Sequence, residues 1–180
     1  MSLAAPVGLY QLFPPDYYRD KVMTTETAPE PPKPSQAYEA GCHCGYVKFS
    51  VTLSPPLPET KPLNCDCSAC RRFGYLLVYP VRDKVQWHGD SEFRVARYRF
   101  NTKQKDQMFC PRCGASLGID FRDANKPKFD GFGISVRTFN GIDLDSLEYK
   151  KFNGSQKVHP PGDLSGMWHE AGAETVTKTA

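Results

Sequence analysis

The seven cysteines of this 180-residue chain are the feature that most constrains its fold, because all of them fall into three tight clusters. These are Cys42-His43-Cys44, Cys65-Asp66-Cys67-Ser68-Ala69-Cys70, and Cys110-Pro111-Arg112-Cys113. Close cysteine pairs suit zinc, since a tight turn can aim two sulfurs at one ion held about 2.3 Å away. Gly45 and Gly114 follow two of the clusters, where a turn beneath a metal needs φ > 0, and Pro111 pre-sets φ inside the last pair. Disulfides are the poorer reading. The count is odd, C-x-C neighbours are awkward to bridge, and the N-terminus lacks a basic and apolar secretory leader, so export is not expected. Seven divides as four plus three: two pairs make a closed four-thiolate site, and the triplet makes three ligands with one position open. Spacing alone leaves the pairing undecided, because 39 residues separate Cys70 from Cys110, whereas paired C-x-x-C sites usually lie 15–20 apart.

The rest of the chain reads as mainly β. Val47, Phe49, Val51 and Leu53 alternate with Lys48, Ser50 and Thr52, which is a half-buried strand starting a β pattern from Gly41 onward. Pro55, Pro56, Pro58 and Pro62 impose an irregular connection. Tyr75–Val81 is an apolar run of strand length, continued by Val85 and Trp87 to a turn at Gly89-Asp90. In Phe93–Phe100 the apolar phase slips, which suggests a bulge or a two-sided strand. Leu117/Ile119/Phe121 and Phe132/Ile134/Val136 predict two more strands, and no window keeps a helical apolar period over three turns. The organisation expected is an extended proline-rich tail over 1–37, a β domain over 38–155 and an irregular extension over 156–180. In the tail, Leu9–Phe13 and Tyr17-Tyr18 are apolar enough to dock; beyond the domain, Trp168 needs a packing partner and Asn153-Gly154-Ser155 reads as a turn.

Three motifs together carry a resemblance. Gly41-Cys-His-Cys-Gly-Tyr-Val-Lys-Phe49, Cys65-Asp-Cys-Ser-Ala-Cys-Arg-Arg72 and Phe109-Cys-Pro-Arg-Cys-Gly114 resemble, in order and interval, the signatures of the glutathione-dependent formaldehyde-activating enzyme family. That family includes the centromere protein V type domain, and the segment Ser135–Leu144 matches as well. The resemblance covers about residues 38–155. It implies a zinc-bound antiparallel β-tent, with Cys42, Cys44, Cys110 and Cys113 holding a structural zinc. Cys65, Cys67 and Cys70 would hold a second zinc, the one linked with activity. The implied chemistry is carbon–sulfur lyase-type: addition of a glutathione-like thiol to an aldehyde such as formaldehyde, giving S-hydroxymethylglutathione, or the reverse. The partners expected are a small thiol and an aldehyde.

Several side chains near the triplet have two readings. Arg71 and Arg72 suit the carboxylates of glutathione, or they brace the fold. His43 between two ligands should point away from the sulfurs, and His88, His159 or His169 could complete the triplet as a fourth ligand. Asp66 and Ser68 would bond the thiolates or cap a turn. The alternative function is a non-catalytic, zinc-stabilised binding module. Against nucleic acid as its partner, the net charge is only +3, and Arg94, Arg97, Arg99, Lys103 and Lys105 are spread along a strand and turn, with Arg97 and Arg99 expected on one solvated face. No stretch of about 18 apolar residues exists to span a membrane, so a cytoplasmic or nuclear location is expected.

Overall fold

The structure is a computed structural model that describes residues 33–157 and 162–166. The proline-rich segment before residue 33, His159, Trp168 and His169 lie outside the described residues.

Two sheets form the body, antiparallel except for one strand pair. The smaller has the order β1-β2-β5, from Gln36–Gly41, Lys48–Leu53 and Val85–Trp87. In β2 the alternation works as expected: Phe49, Val51 and Leu53 are buried while Lys48 is exposed. The β pattern begins earlier than Gly41, because β1 pairs along its whole length with β2, from Gln36↔Leu53 to Gly41↔Lys48. Its own sequence, QAYEAG, carries little apolar signal.

The larger sheet has seven strands in the order β10-β3-β4-β9-β8-β7-β6. Its members are β3 (Leu63–Cys65), β4 (Leu77–Val78), β6 (Ala96–Tyr98), β7 (Asp106–Phe109), β8 (Ser116–Asp120), β9 (Phe132–Ser135) and β10 (Lys150–Phe152). All four residues of β9 are buried, as befits a central strand covered on both faces. The main core joins the two sheets. Trp87 of β5 tilts against Phe49 (ring centroids 5.0 Å apart) and meets Phe132 of β9 edge-on at 6.2 Å.

The structure departs from the sequence pattern in two places. Between Val95 and Tyr98, where the apolar phase slips, β6 pairs with β7 without a bulge, and ahead of it a helical turn, α2 (Ser91–Arg94), leaves Phe93 exposed and delays the strand to Ala96. Asp90 pairs with Arg94 one turn on, at 2.5 Å, and the Ser91 hydroxyl accepts the Lys48 N–H at 3.1 Å, seating the turn on β2. Second, Arg97 and Arg99 share a face, but they do not simply face water. Both converge on Asp106, which is 3% exposed, together with Arg122 from beyond β8. Part of the basic run is therefore internally neutralised.

A buried carboxylate is held by these guanidinium groups, and removing its charge would leave three like charges crowded together. Asp106→Asn should cost about 2 kcal/mol, allowing for solvent around the half-exposed arginines. Chemical denaturation and a melting temperature lowered by roughly 5 °C would register it.

Candidate metal centres

The seven thiols assemble as four plus three. Cys42, Cys44, Cys110 and Cys113 bring their Sγ atoms within 4.8 Å of one another, and so, separately, do Cys65, Cys67 and Cys70. The pairing left open by spacing is thereby answered geometrically: the first cluster meets the third, and the second stands alone.

The four-thiol cluster joins the two sheets. Cys42 and Cys44 lie in the turn between β1 and β2, and Cys110 and Cys113 in the turn between β7 and β8. Each turn closes on itself by backbone bonds, Cys42 N–H to Val47 O at 3.0 Å and Cys110 N–H to Ala115 O at 3.0 Å. Gly45 and Gly114 adopt φ of +72° and +73°, the left-handed conformation expected of them. The Val47 N–H donates to Cys42 Sγ at 3.2 Å. Between the turns, the Arg112 guanidinium lies 3.6 Å from the Tyr46 ring centroid, and Arg94 stacks on the same ring at 4.8 Å. Cys42–Cys44 and Cys44–Cys110 sulfur separations are 3.7 and 3.8 Å. A tetrahedron with zinc–sulfur bonds of about 2.3 Å has edges of about 3.8 Å, so the donor set fits zinc in both chemistry and size.

The triplet is built differently. Cys65 ends β3, and Cys67 caps α1 (Ser68–Phe73), its sulfur accepting the Cys70 N–H at 3.5 Å. The loop is backed by a distant part of the chain. β10 runs parallel to β3, with Phe152 opposite Cys65, and α3 (Gly154–Lys157) follows. Asp66 accepts the Ser155 N–H at 2.8 Å, so its carboxylate holds the first turn of α3; Asn153 Oδ1 accepts the Gln156 N–H at 3.1 Å at the same end. Gly154 is the residue that the sequence reading missed. A Cβ there would stand 2.3 Å from Cys65 Sγ and 3.0 Å from Cys67 Cβ, so only glycine lets α3 close on the thiols.

Within each cluster the protons are unevenly shared. A hydrogen bond from the Cys70 thiol pulls Cys67 down to about 5, and the same bond pushes Cys70 up; burial raises Cys65. In the other cluster the Ala115 N–H, then that of Cys44, lowers Cys113 to about 6, while burial lifts Cys110 to about 11. Binding a metal at either set would expel the thiol protons.

A cavity of about 470 Å³ opens over the triplet, walled by Leu77, Tyr79, Ile119, Phe121 and Phe152. Arg71 and Arg72 do not line it. Successive helical residues turn by about 100°, so with Cys70 facing inward the next two side chains rotate outward. Arg71 pairs with Asp163 at 2.5 Å and Arg72 donates to the Ser165 hydroxyl at 2.5 Å. His43 is exposed and apart from the sulfurs, and His88 lies 3.7 Å from Glu39, so neither joins a thiol cluster. Ser68 is buried in the first turn of α1.

Comparison with known proteins bears on this arrangement. Residues 37–139 match the family model of the glutathione-dependent formaldehyde-activating enzyme. The chain belongs to that family. A relative from Halomonas elongata, named "Putative glutathione-dependent formaldehyde-activating enzyme", is 30% identical over 88 residues, 45% of this chain and 54% of the relative. The chain thus aligns with about half the length of this curated relative. A crystal structure of a Rhodobacter sphaeroides protein matches with a TM-score of 0.51 and 23% identity, covering 62% of this chain and 99% of that one. It supports the fold. Among the described residues no helix is long and apolar enough to cross a membrane.

The geometry separates the two clusters experimentally. Gly154→Ala should lower bound metal by about one ion per chain in elemental analysis while the far-ultraviolet circular dichroism stays native. Cys110→Ser should instead unfold or aggregate the protein, since metal binding at a closed thiolate site is folding free energy of about 10 kcal/mol.

Proposed function

We propose that this protein is a zinc-dependent carbon–sulfur lyase-type enzyme that adds a glutathione-like thiol to a small aldehyde such as formaldehyde, or reverses that addition. The observation that carries this reading is the placement of three thiols, and only three, in the lining of an open cavity with apolar and polar walls, while the other four occupy two hairpin turns. Family membership supports it. Cys42, Cys44, Cys110 and Cys113 would hold a structural zinc and Cys65, Cys67 and Cys70 a second one. Zinc bound by three thiolates supplies a Lewis acid with an open coordination position.

The chain's own residues do the remainder. In the addition, the substrate sulfur forms a bond to the aldehyde carbon, the carbonyl π bond opens, and the thiol proton ends on the former carbonyl oxygen. Tyr79 offers a phenolic O–H in the cavity wall, protonated at neutral pH as phenols ordinarily are. Tyr75, the other phenol beside the triplet, is committed to the Gly118 carbonyl at 2.9 Å. Leu77, Ile119, Phe121 and Phe152 give the cavity an apolar side beside the triplet. Gly154 and Asp66 keep the three-cysteine loop in shape from behind.

Replacement of the metal by cobalt makes thiol binding visible. Glutathione at millimolar concentration should strengthen the sulfur-to-metal charge-transfer band, because a further thiolate joins the three. Cys67→Ser should abolish that response and the turnover of S-hydroxymethylglutathione while leaving the fold intact. A spectrum indifferent to glutathione would overturn the thiol-enzyme reading.

A further inference from the structure

One residue lining the cavity over the triplet carries a buried polar atom with an unmet need. Gln107, in the middle of β7, is 4% exposed, and among the described residues its Oε1 is the buried side-chain polar atom without a hydrogen-bond partner. Strand alternation sends Asp106 and Met108 to the opposite face, while Gln107 lines the cavity beside its cross-strand neighbour Ile119. A buried carbonyl without a partner weakens the fold, and methionine or leucine would fill the position without that penalty. The terminal torsion of a glutamine is soft, so a small rotation turns the oxygen towards a ligand.

The rim adds charge. Lys105 and Lys157 lie on the cavity edge, their ammonium groups 5.2 Å from the Phe121 ring centroid and 5.7 Å from that of Phe152. Neither is in an ion pair among the described residues, in contrast to Arg71, which Asp163 already occupies. Three thiols, an unsatisfied acceptor and two cations thus share one chamber. Resting on the reading of the triplet as the place where a thiol binds, we propose that Gln107 is a specificity-determining residue: it accepts a hydrogen bond from an N–H of the thiol ligand, and Lys105 and Lys157 receive the ligand's carboxylates. The chamber then takes small anionic, amide-bearing thiols in preference to simple ones.

Calorimetric titration of the full metal-loaded chain tests this with three probes: glutathione, its analogue with methyl in place of the thiol, and 2-mercaptoethanol. Gln107→Met should weaken the first two roughly tenfold, leave 2-mercaptoethanol unchanged, and keep or raise the melting temperature, since a buried unpaired carbonyl has been removed. Lys105→Ala with Lys157→Ala should weaken the same two probes and flatten their dependence on salt. Unchanged affinities in either variant, an equal loss for 2-mercaptoethanol, or a lowered melting temperature for Gln107→Met would overturn the proposal. Failure of the thiol reading is distinct: the methyl analogue would bind as well as glutathione, both still sensitive to Gln107, and 2-mercaptoethanol would not bind at all.

Discussion

The meeting of two hairpin turns is the contact on which the rest of this structure depends. The β1–β2 turn belongs to the small sheet and the β7–β8 turn to the large one, and their four thiols converge at van der Waals range. Two short sheets of this size have limited apolar area to hold them face to face, and the strands themselves are mostly three to six residues long. A cation bound by four thiolates would cross-link them at the point where each chain segment reverses. The Arg94–Tyr46–Arg112 stack lies at the same place and sets cationic charge beside a thiolate-rich cluster.

The second cluster has the opposite character. Its three ligands come from one short loop and one helical turn, so local sequence alone places them near each other. What it lacks locally is a back wall, which arrives with β10 and α3. The pairing of Phe152 with Cys65 and the absence of a side chain at Gly154 leave the sulfurs hemmed on one side and open to the cavity on the other. Closed and cross-sheet in one case, backed and open in the other, the two clusters use the same residue type for different ends.

Much of this was legible in the sequence because the informative residues are chemically distinctive. Cysteines declare themselves by spacing, and β2 by strict alternation. The strand β7 and the helical turns α1 to α3 were not legible, since helices of four to six residues complete at most two turns and DQMF has no alternation to detect. Alternation puts Arg97 and Arg99 on one face, but their partner Asp106 is brought to them only when β6, β7 and the residues after β8 come together. Arg71 and Arg72 are next to Cys70 in sequence, but helical rotation turns them away from the cavity. Gln107 carries no signal at all in one dimension; its importance is that its oxygen is left without a partner once the strand is in its sheet.

The parallel strand β10 also sets an order of events during synthesis. The four-thiol cluster has all its members once Cys113 has left the ribosome, and both hairpins that it joins once Asp120 has followed. The three-thiol loop, though made earlier than Cys113, stays without its wall until Gly154 has followed. A nascent chain therefore brings the four-thiol cluster together while the three-thiol loop still lacks its wall, so that loop is the last to be sheltered.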